Sequence, residues 1–269
     1  MTKCHLILLM TVAVTAASCG GHRGPSLSEY GSQNSEYRAM MFEKYALQLL
    51  SESPERALAR QDSTMRSVSQ DSAAFFQMVE LQDHFFKDPN SPYRCEDFCL
   101  PVLFAIVESP FTPDSARFAA KADIAHFSLN RIGTTATDFS FTLKGGRTRT
   151  LHSVKAERTL LFFSNPGCTL CRQITEELSS IPGMEKMVEE GYLSIVNIYP
   201  DDDVEAWYGY LAEYPPYWIS GYAPEVDGPQ GPYFLRAIPT LYLLDRDKRV
   251  LLKDAPLERI LAELNIFAE

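Results

Sequence analysis

The hydrophobic pattern changes near Gly133, and this change restricts the possible folds more than any other feature of the sequence. Before it, apolar residues such as Tyr45 and Leu49 recur at helical spacing. After it, short apolar runs that are typical of strands alternate with helical segments. We therefore predict an all-helical domain over residues 36–131, followed by an α/β domain with a mixed sheet over residues 132–269.

Turn and cap signals subdivide both halves. In the first half, Ser53-Pro54 and Thr112-Pro113 each place a proline at a helix start, and about five helices are predicted. In the second half, the polar turn Asp245–Lys248 predicts a hairpin between the last two strands. Strands are predicted there over residues 139–143, 159–164, 193–199, 240–244 and 250–253. Helices are predicted over residues 168–180, 184–190, 203–213 and 256–264.

Composition narrows the class of protein. The chain has 269 residues, of which 45% are hydrophobic and 22% are charged. It can therefore bury a core, and it is neither a disordered chain nor a collagen or coiled coil. The formal net charge of -10 gives no basic surface for a phosphate backbone, so we expect no nucleic-acid partner.

The N-terminus has the composition of a targeting signal. Lys3 precedes an apolar run over residues 6–17, which is shorter than the roughly 20 residues of a membrane span. The small residues before Cys19 resemble the bacterial lipobox, which implies a signal peptide over residues 1–18 and acylation of Cys19 in the lipid bilayer. Cleavage at a small residue to give a soluble secreted protein is the alternative. The Gly- and Ser-rich residues 19–35 are predicted to be a flexible tether.

The six cysteines fall into three unlike pairs, of which Cys168 and Cys171 have the context of redox chemistry. They directly follow a predicted buried strand and lie at the start of a predicted helix. Free backbone N–H groups and the helix dipole stabilise a thiolate at such a position. We therefore predict that Cys168 is the nucleophile and that the more shielded Cys171 resolves the mixed disulfide.

Several motifs of the second half together resemble a thioredoxin-like domain of the TlpA/ResA type. They are the C-T-L-C pair after a strand, the opening G-T-T-A-T-D-F-S-F, and the loop Ile238-Pro239-Thr240 before L-Y-L-L-D, about 70 residues after the cysteines. The resemblance implies that Pro239 is cis and that its loop faces the cysteines. It also implies that Ile238, Pro239 and Thr240 bind an extended substrate chain through the backbone.

The sequence departs from the family pattern around the cysteines. Pro166-Gly167 stands where the family has an aromatic residue before the first cysteine. Phe162 and Ile174 stand where thioredoxins and many TlpA/ResA-like proteins keep a carboxylate. Such a carboxylate would exchange the proton of Cys171, so general-base activation at these two positions is not available.

Three further features leave alternatives open. Aromatic residues between Tyr199 and Pro239 either line a groove for an extended peptide or pack the insert on the sheet. Cys95 and Cys99 are four residues apart, and four alternatives are open for them. They form a local disulfide, they remain buried thiols, they act as a second redox pair, or they bind a zinc ion together with Cys168 and Cys171. The helical half resembles a domain that precedes thioredoxin-like domains in bacterial lipoproteins, and that resemblance implies no activity.

The combined pattern predicts a membrane-anchored thiol-disulfide oxidoreductase of the bacterial cell envelope that reduces protein disulfides. Its expected partners are envelope protein thiols or disulfides, a membrane electron donor, and the bilayer through Cys19. We expect no metal and no cofactor other than a redox-active Cys168–Cys171 disulfide. The alternative is a redox-idle binding or scaffolding lipoprotein with the same fold.

Overall fold

A computed structural model describes residues 35–228 and 230–266. The predicted signal peptide, the lipidation site Cys19 and nearly all of the predicted tether lie outside these residues. Within them, no helix is both long enough and apolar enough to cross a membrane.

The first half consists of helices that pack around one apolar core. The core contains Phe42, Leu49, Met65 and Phe86, all nearly inaccessible to solvent. A proline opens the second helix, as the Ser53-Pro54 signal predicts. The helices are α1 (Ser35–Ser51), α2 (Pro54–Val68), α3 (Ser72–Gln82), α4 (Glu96–Glu108) and α5 (Asp114–Phe127).

Buried polar side chains tie the first three helices together. The Tyr45 hydroxyl donates to Gln61 Oε1 at 2.6 Å and accepts from the Thr64 hydroxyl at 2.9 Å. Gln61 in turn donates to Gln82 Oε1 and to the carbonyl of Phe98. Because each polar group has a partner, the network is compatible with its burial.

The second half is a mixed sheet with helices on its faces. Its strands are β1 (Ser140–Leu143), β2 (Thr148–Thr150), β3 (Arg158–Phe163), β4 (Leu193–Tyr199), β5 (Ile219–Tyr222), β6 (Thr240–Asp245) and β7 (Val250–Lys253). Its helices are α6 (Thr169–Ser180), α7 (Met184–Glu189), α8 (Val204–Tyr210) and α9 (Leu257–Glu263).

The strand order is β2-β1-β5-β4-β3-β6-β7. Strands β3, β4 and β5 run parallel, whereas β6 and β7 are antiparallel to their neighbours, so the predicted mixed sheet and terminal hairpin are confirmed. One apolar core fills each face of the sheet. Strand β3 lies between β4 and β6 and is almost wholly buried. Its position therefore fixes where the segment that carries Cys168 and Cys171 begins.

Two strands were absent from the sequence prediction. Strand β2 consists of Thr148, Arg149 and Thr150 at the edge of the sheet, and so carries no apolar run. Strand β5 lies inside the aromatic insert, where Gly221 faces Phe141 and Ile198. A side chain there would collide with Phe141, so the glycine that obscures the strand signal is needed for packing.

Candidate active site

Cys168 is placed by the end of the central strand β3. Four loop residues after Phe163 bring it to the N-cap of α6, where its backbone N–H donates to the Asn165 carbonyl at 3.1 Å. The helix holds its position because Cys171, Ile174 and Leu178 share one buried face. Sequence and packing together therefore fix the first cysteine at a helix N-terminus.

Cys168 and Cys171 form a disulfide. The Cys171 N–H donates to Cys168 Sγ at 3.1 Å, and the sulfur thus caps the helix. The same donor and the helix dipole would stabilise a thiolate on Cys168 after reduction. Cys168 is half-buried, whereas Cys171 is 3% exposed, so Cys168 is the more accessible of the two.

The predicted substrate loop lies against the disulfide. The Ile238–Pro239 peptide bond is cis, and the Ile238 carbonyl oxygen is 3.8 Å from Cys168 Sγ. Thr240 begins β6, and its hydroxyl donates to the Ala237 carbonyl at 2.7 Å. The structure therefore brings Ile238, Pro239 and Thr240 to the same edge of the sheet as Cys168.

A small cleft of about 150 Å³ adjoins the two cysteines. Arg172 and Glu176 of α6 line it, together with Tyr210 and Tyr214 of the insert. Trp207, Trp218 and Tyr233 of the insert are buried in the fold, whereas Tyr208 is exposed. Packing thus accounts for part of the insert, and Tyr210 and Tyr214 border the cleft beside the cysteines.

The positions that lack a family carboxylate belong to the apolar core. Phe162 is 0% exposed and Ile174 is 7% exposed, and both pack in the same cluster as Cys171. Neither could be replaced by an ionised carboxylate without the cost of burying a charge. Neither position therefore supplies a carboxylate that could exchange a proton with Cys171.

A buried polar network, which sequence reasoning missed, borders this cleft. The Ser164 hydroxyl donates to Asn197 Oδ1 at 2.5 Å and lies 3.2 Å from the Tyr214 hydroxyl. Ser164 and Asn197 are 0% and 1% exposed. The available signal was Asn197 itself, a single amide in the otherwise apolar end of strand β4.

The second cysteine pair is separate from this site. Cys95 and Cys99 are free thiols, buried at the start of α4. Burial raises the pKa of Cys95 to about 11 and the pKa of Cys99 well above its usual value. The described residues contain no group of side chains that could hold a metal ion. Of the four alternatives that the sequence leaves open for Cys95 and Cys99, the structure shows buried free thiols.

The strand, the cysteine pair at the helix start and the adjacent proline loop define a thioredoxin-like fold. The chain is similar to a thioredoxin-like protein from Bacteroides caccae, with 35% sequence identity over 88% of this chain and 86% of that one, and a TM-score of 0.78. The identity and coverage of this match show that the chain belongs to the thioredoxin-like proteins.

Other solved structures match about half of this chain. The C-terminal domain of an uncharacterized protein from Bacteroides fragilis is 42% identical over 51% of this chain and 98% of that one, with a TM-score of 0.48. The thioredoxin domain of a thiol-disulfide oxidoreductase from Bacteroides vulgatus is 19% identical over 52% of this chain and 99% of that one, with a TM-score of 0.44. Neither a model of a protein family nor a curated protein matches the sequence.

Proposed function

We propose that the protein is a thiol-disulfide oxidoreductase that is anchored to a membrane through acylated Cys19 and reduces disulfides of envelope proteins. The observation that carries the redox part is the arrangement of the pair: Cys168 is accessible at a helix N-terminus and Cys171 is buried behind it. The Leu6–Ala17 run before Cys19 supports the anchor.

The proposed reaction starts from the reduced pair. The Cys168 thiolate attacks one sulfur of a substrate disulfide, and the other substrate sulfur leaves as a thiolate that takes a proton from water. Cys171 then loses its proton and attacks Cys168 Sγ, which forms the Cys168–Cys171 disulfide and releases the second substrate thiolate. The protein loses two electrons and the substrate gains them, and a membrane electron donor reduces the protein again.

The loop beside the disulfide supports a polypeptide substrate. The Ile238 carbonyl lies next to Cys168 Sγ, in a position to accept a backbone N–H of an extended chain. Tyr210 and Tyr214 line the cleft that adjoins the two cysteines. A chain held by this loop would present its own sulfur to Cys168.

The reactivity of the two cysteines tests the redox part of the proposal. In the reduced protein at neutral pH, we expect iodoacetamide to label Cys168 first, with an apparent pKa below the ordinary value of about 8.5. Cys168→Ala should abolish the fast labelling, and Cys171→Ala should retain it. Mass spectrometry of the labelled peptides identifies the site.

A trapping experiment gives the matching control. Cys171→Ala should accumulate mixed disulfides with envelope proteins through Cys168, because the resolving thiol is missing, and the Cys168→Ala/Cys171→Ala double variant should accumulate none. The second candidate function, a redox-idle binding lipoprotein, is favoured by the apolar Phe162 and Ile174 at the carboxylate positions. An ordinary thiol pKa for Cys168 together with no mixed disulfide would select that candidate.

A further inference from the structure

Arg236 joins the two halves of the molecule just before the loop that faces Cys168. Its guanidinium donates to Glu96 Oε1 at 2.8 Å, to Asp254 Oδ2 at 2.7 Å and to the Lys87 carbonyl. It also lies over the ring of Phe127 at 5.2 Å from the centroid. Three of these contacts, those with Glu96, Lys87 and Phe127, come from the helical half.

The partners of Arg236 are themselves fixed. Lys253 Nζ lies 2.8 Å from Glu96 Oε2, and it donates to the carbonyls of Phe127 and Leu129 at 3.0 and 2.6 Å. The side chains of Glu96 and Lys253 are each 2% exposed, and that of Arg236 is 11% exposed. Charges paired in this way are screened little by solvent, so their geometry is strongly constrained.

Only Ala237 separates Arg236 from Ile238, whose carbonyl oxygen lies 3.8 Å from Cys168 Sγ. Residues 236–239 form a bend, and two residues of chain span at most about 7 Å, so the anchored side chain and the carbonyl belong to one short segment. The helical half, through α4 and the short π-helix Asp83–Lys87, thus contacts the residue that begins the substrate loop.

We infer that Arg236 is a positioning residue through which the helical half sets the distance between the Ile238–Thr240 backbone and Cys168, and so the alignment of an extended polypeptide substrate. This inference rests on the proposed function and deepens it. Arg236 does not touch the sulfur atoms, so it should leave the intrinsic reactivity of Cys168 unchanged. A residue with a purely structural role would affect long and short substrates alike.

Two disulfide probes with the same leaving group separate these roles. The whole chain carrying Cys171→Ala is reacted with dithiobis(nitrobenzoate), which has no peptide backbone, and with a peptide whose single cysteine is disulfide-bonded to nitrothiobenzoate. In each reaction the Cys168 thiolate forms a mixed disulfide and releases the coloured nitrothiobenzoate. Cys168→Ala in the same background gives the blank for the other cysteines. The ratio of the two rate constants measures recognition of the chain.

Arg236→Met should lower the rate constant for the peptide about tenfold, since a misplacement of about 1 Å can cost up to about 100-fold. The rate constant for the small probe should stay within about twofold. Arg236→Lys keeps the positive charge but cannot form the same fork of hydrogen bonds, so an intermediate ratio is expected. If Arg236→Met does not fold by circular dichroism, the Lys variant decides the outcome, and a wild-type ratio in it overturns the inference.

Arg60→Met is the matched control. Arg60 forms a partly buried ion pair with Glu52 at 2.7 Å within the helical half, away from the loop. Arg60→Met should leave the ratio of the two rate constants unchanged. An equal fall of this ratio in Arg60→Met and Arg236→Met would overturn the inference. Failure of Cys168 to react with either probe would instead contradict the proposed function.

Discussion

At the scale of single residues, burial distinguishes the two cysteines that cap helices. Cys95 and Cys168 both occupy the N-cap of a helix, at α4 and α6. Cys168 is half-buried and accepts the backbone N–H of Cys171. Cys95 is 3% exposed, and desolvation raises its pKa to about 11 despite the opposing effect of Arg259. A helix N-terminus therefore activates a thiol only where the thiolate keeps access to solvent.

The buried thiols should make stability depend on pH in the alkaline range. Folding raises the pKa of Cys95, so this thiol contributes stability that is fully present below the ordinary thiol pKa of about 8.5 and that is lost as pH rises through about 11. Between pH 8 and pH 11 the wild type should lose on the order of 2 kcal/mol more than Cys95→Ala. Urea unfolding at both pH values measures this difference, and parallel losses in the two proteins would contradict it.

At the scale of elements, the part of the site that the sequence predicts is the part made by neighbours in the chain. Strand β3, Cys168 and α6 are contiguous, and their hydrophobic periods and the cysteine spacing are local signals. The Ser164–Asn197–Tyr214 network and the placement of β5 depend on pairing across the sheet. In the sequence, the only signals of this pairing are single residues: Asn197 for the network and Gly221 for β5.

Gly221 shows how closely β5 is packed. A Cβ built there would lie 2.5 Å from Phe141 Cδ2 and 3.0 Å from Ile198 Cδ1, so Gly221→Ala should destabilise the protein by about 1–3 kcal/mol. Gly209 in α8 has no atom within 4 Å of the same construction, and Gly209→Ala should be neutral or stabilise by up to about 1 kcal/mol. Urea denaturation of both variants checks the difference, and an equal effect would show that β5 relaxes freely.

At the scale of the whole molecule, the two halves share buried contacts as well as a linker. Arg236 and Glu96 are 140 residues apart in the sequence, and Lys253 and Phe127 are 126 apart. His126 of α5 stacks on Phe234 of the second half with ring centroids 4.1 Å apart. No periodicity or motif predicts such partners, because each residue taken alone has the signal of an ordinary surface charge or aromatic residue. The interface is therefore visible only in the structure.

These contacts should make the halves unfold together. Lys253→Met leaves Glu96 buried without one of its cations, which should cost about 3–5 kcal/mol. Arg246→Met is the control, because Arg246 and Glu157 form an exposed pair that contributes about 0–1 kcal/mol. Urea unfolding followed by circular dichroism reports helices of both halves.

Tryptophan fluorescence reports only the second half, since the chain has 2 tryptophans, Trp207 and Trp218, and both lie there. In the wild type the two signals should change at the same urea concentration, because one cooperative unit unfolds. In Lys253→Met the fluorescence and circular dichroism transitions should separate, since the weakened interface no longer couples the cores. Coincident transitions at wild-type stability in Lys253→Met would mean that the ion pairs between the halves do not hold them together.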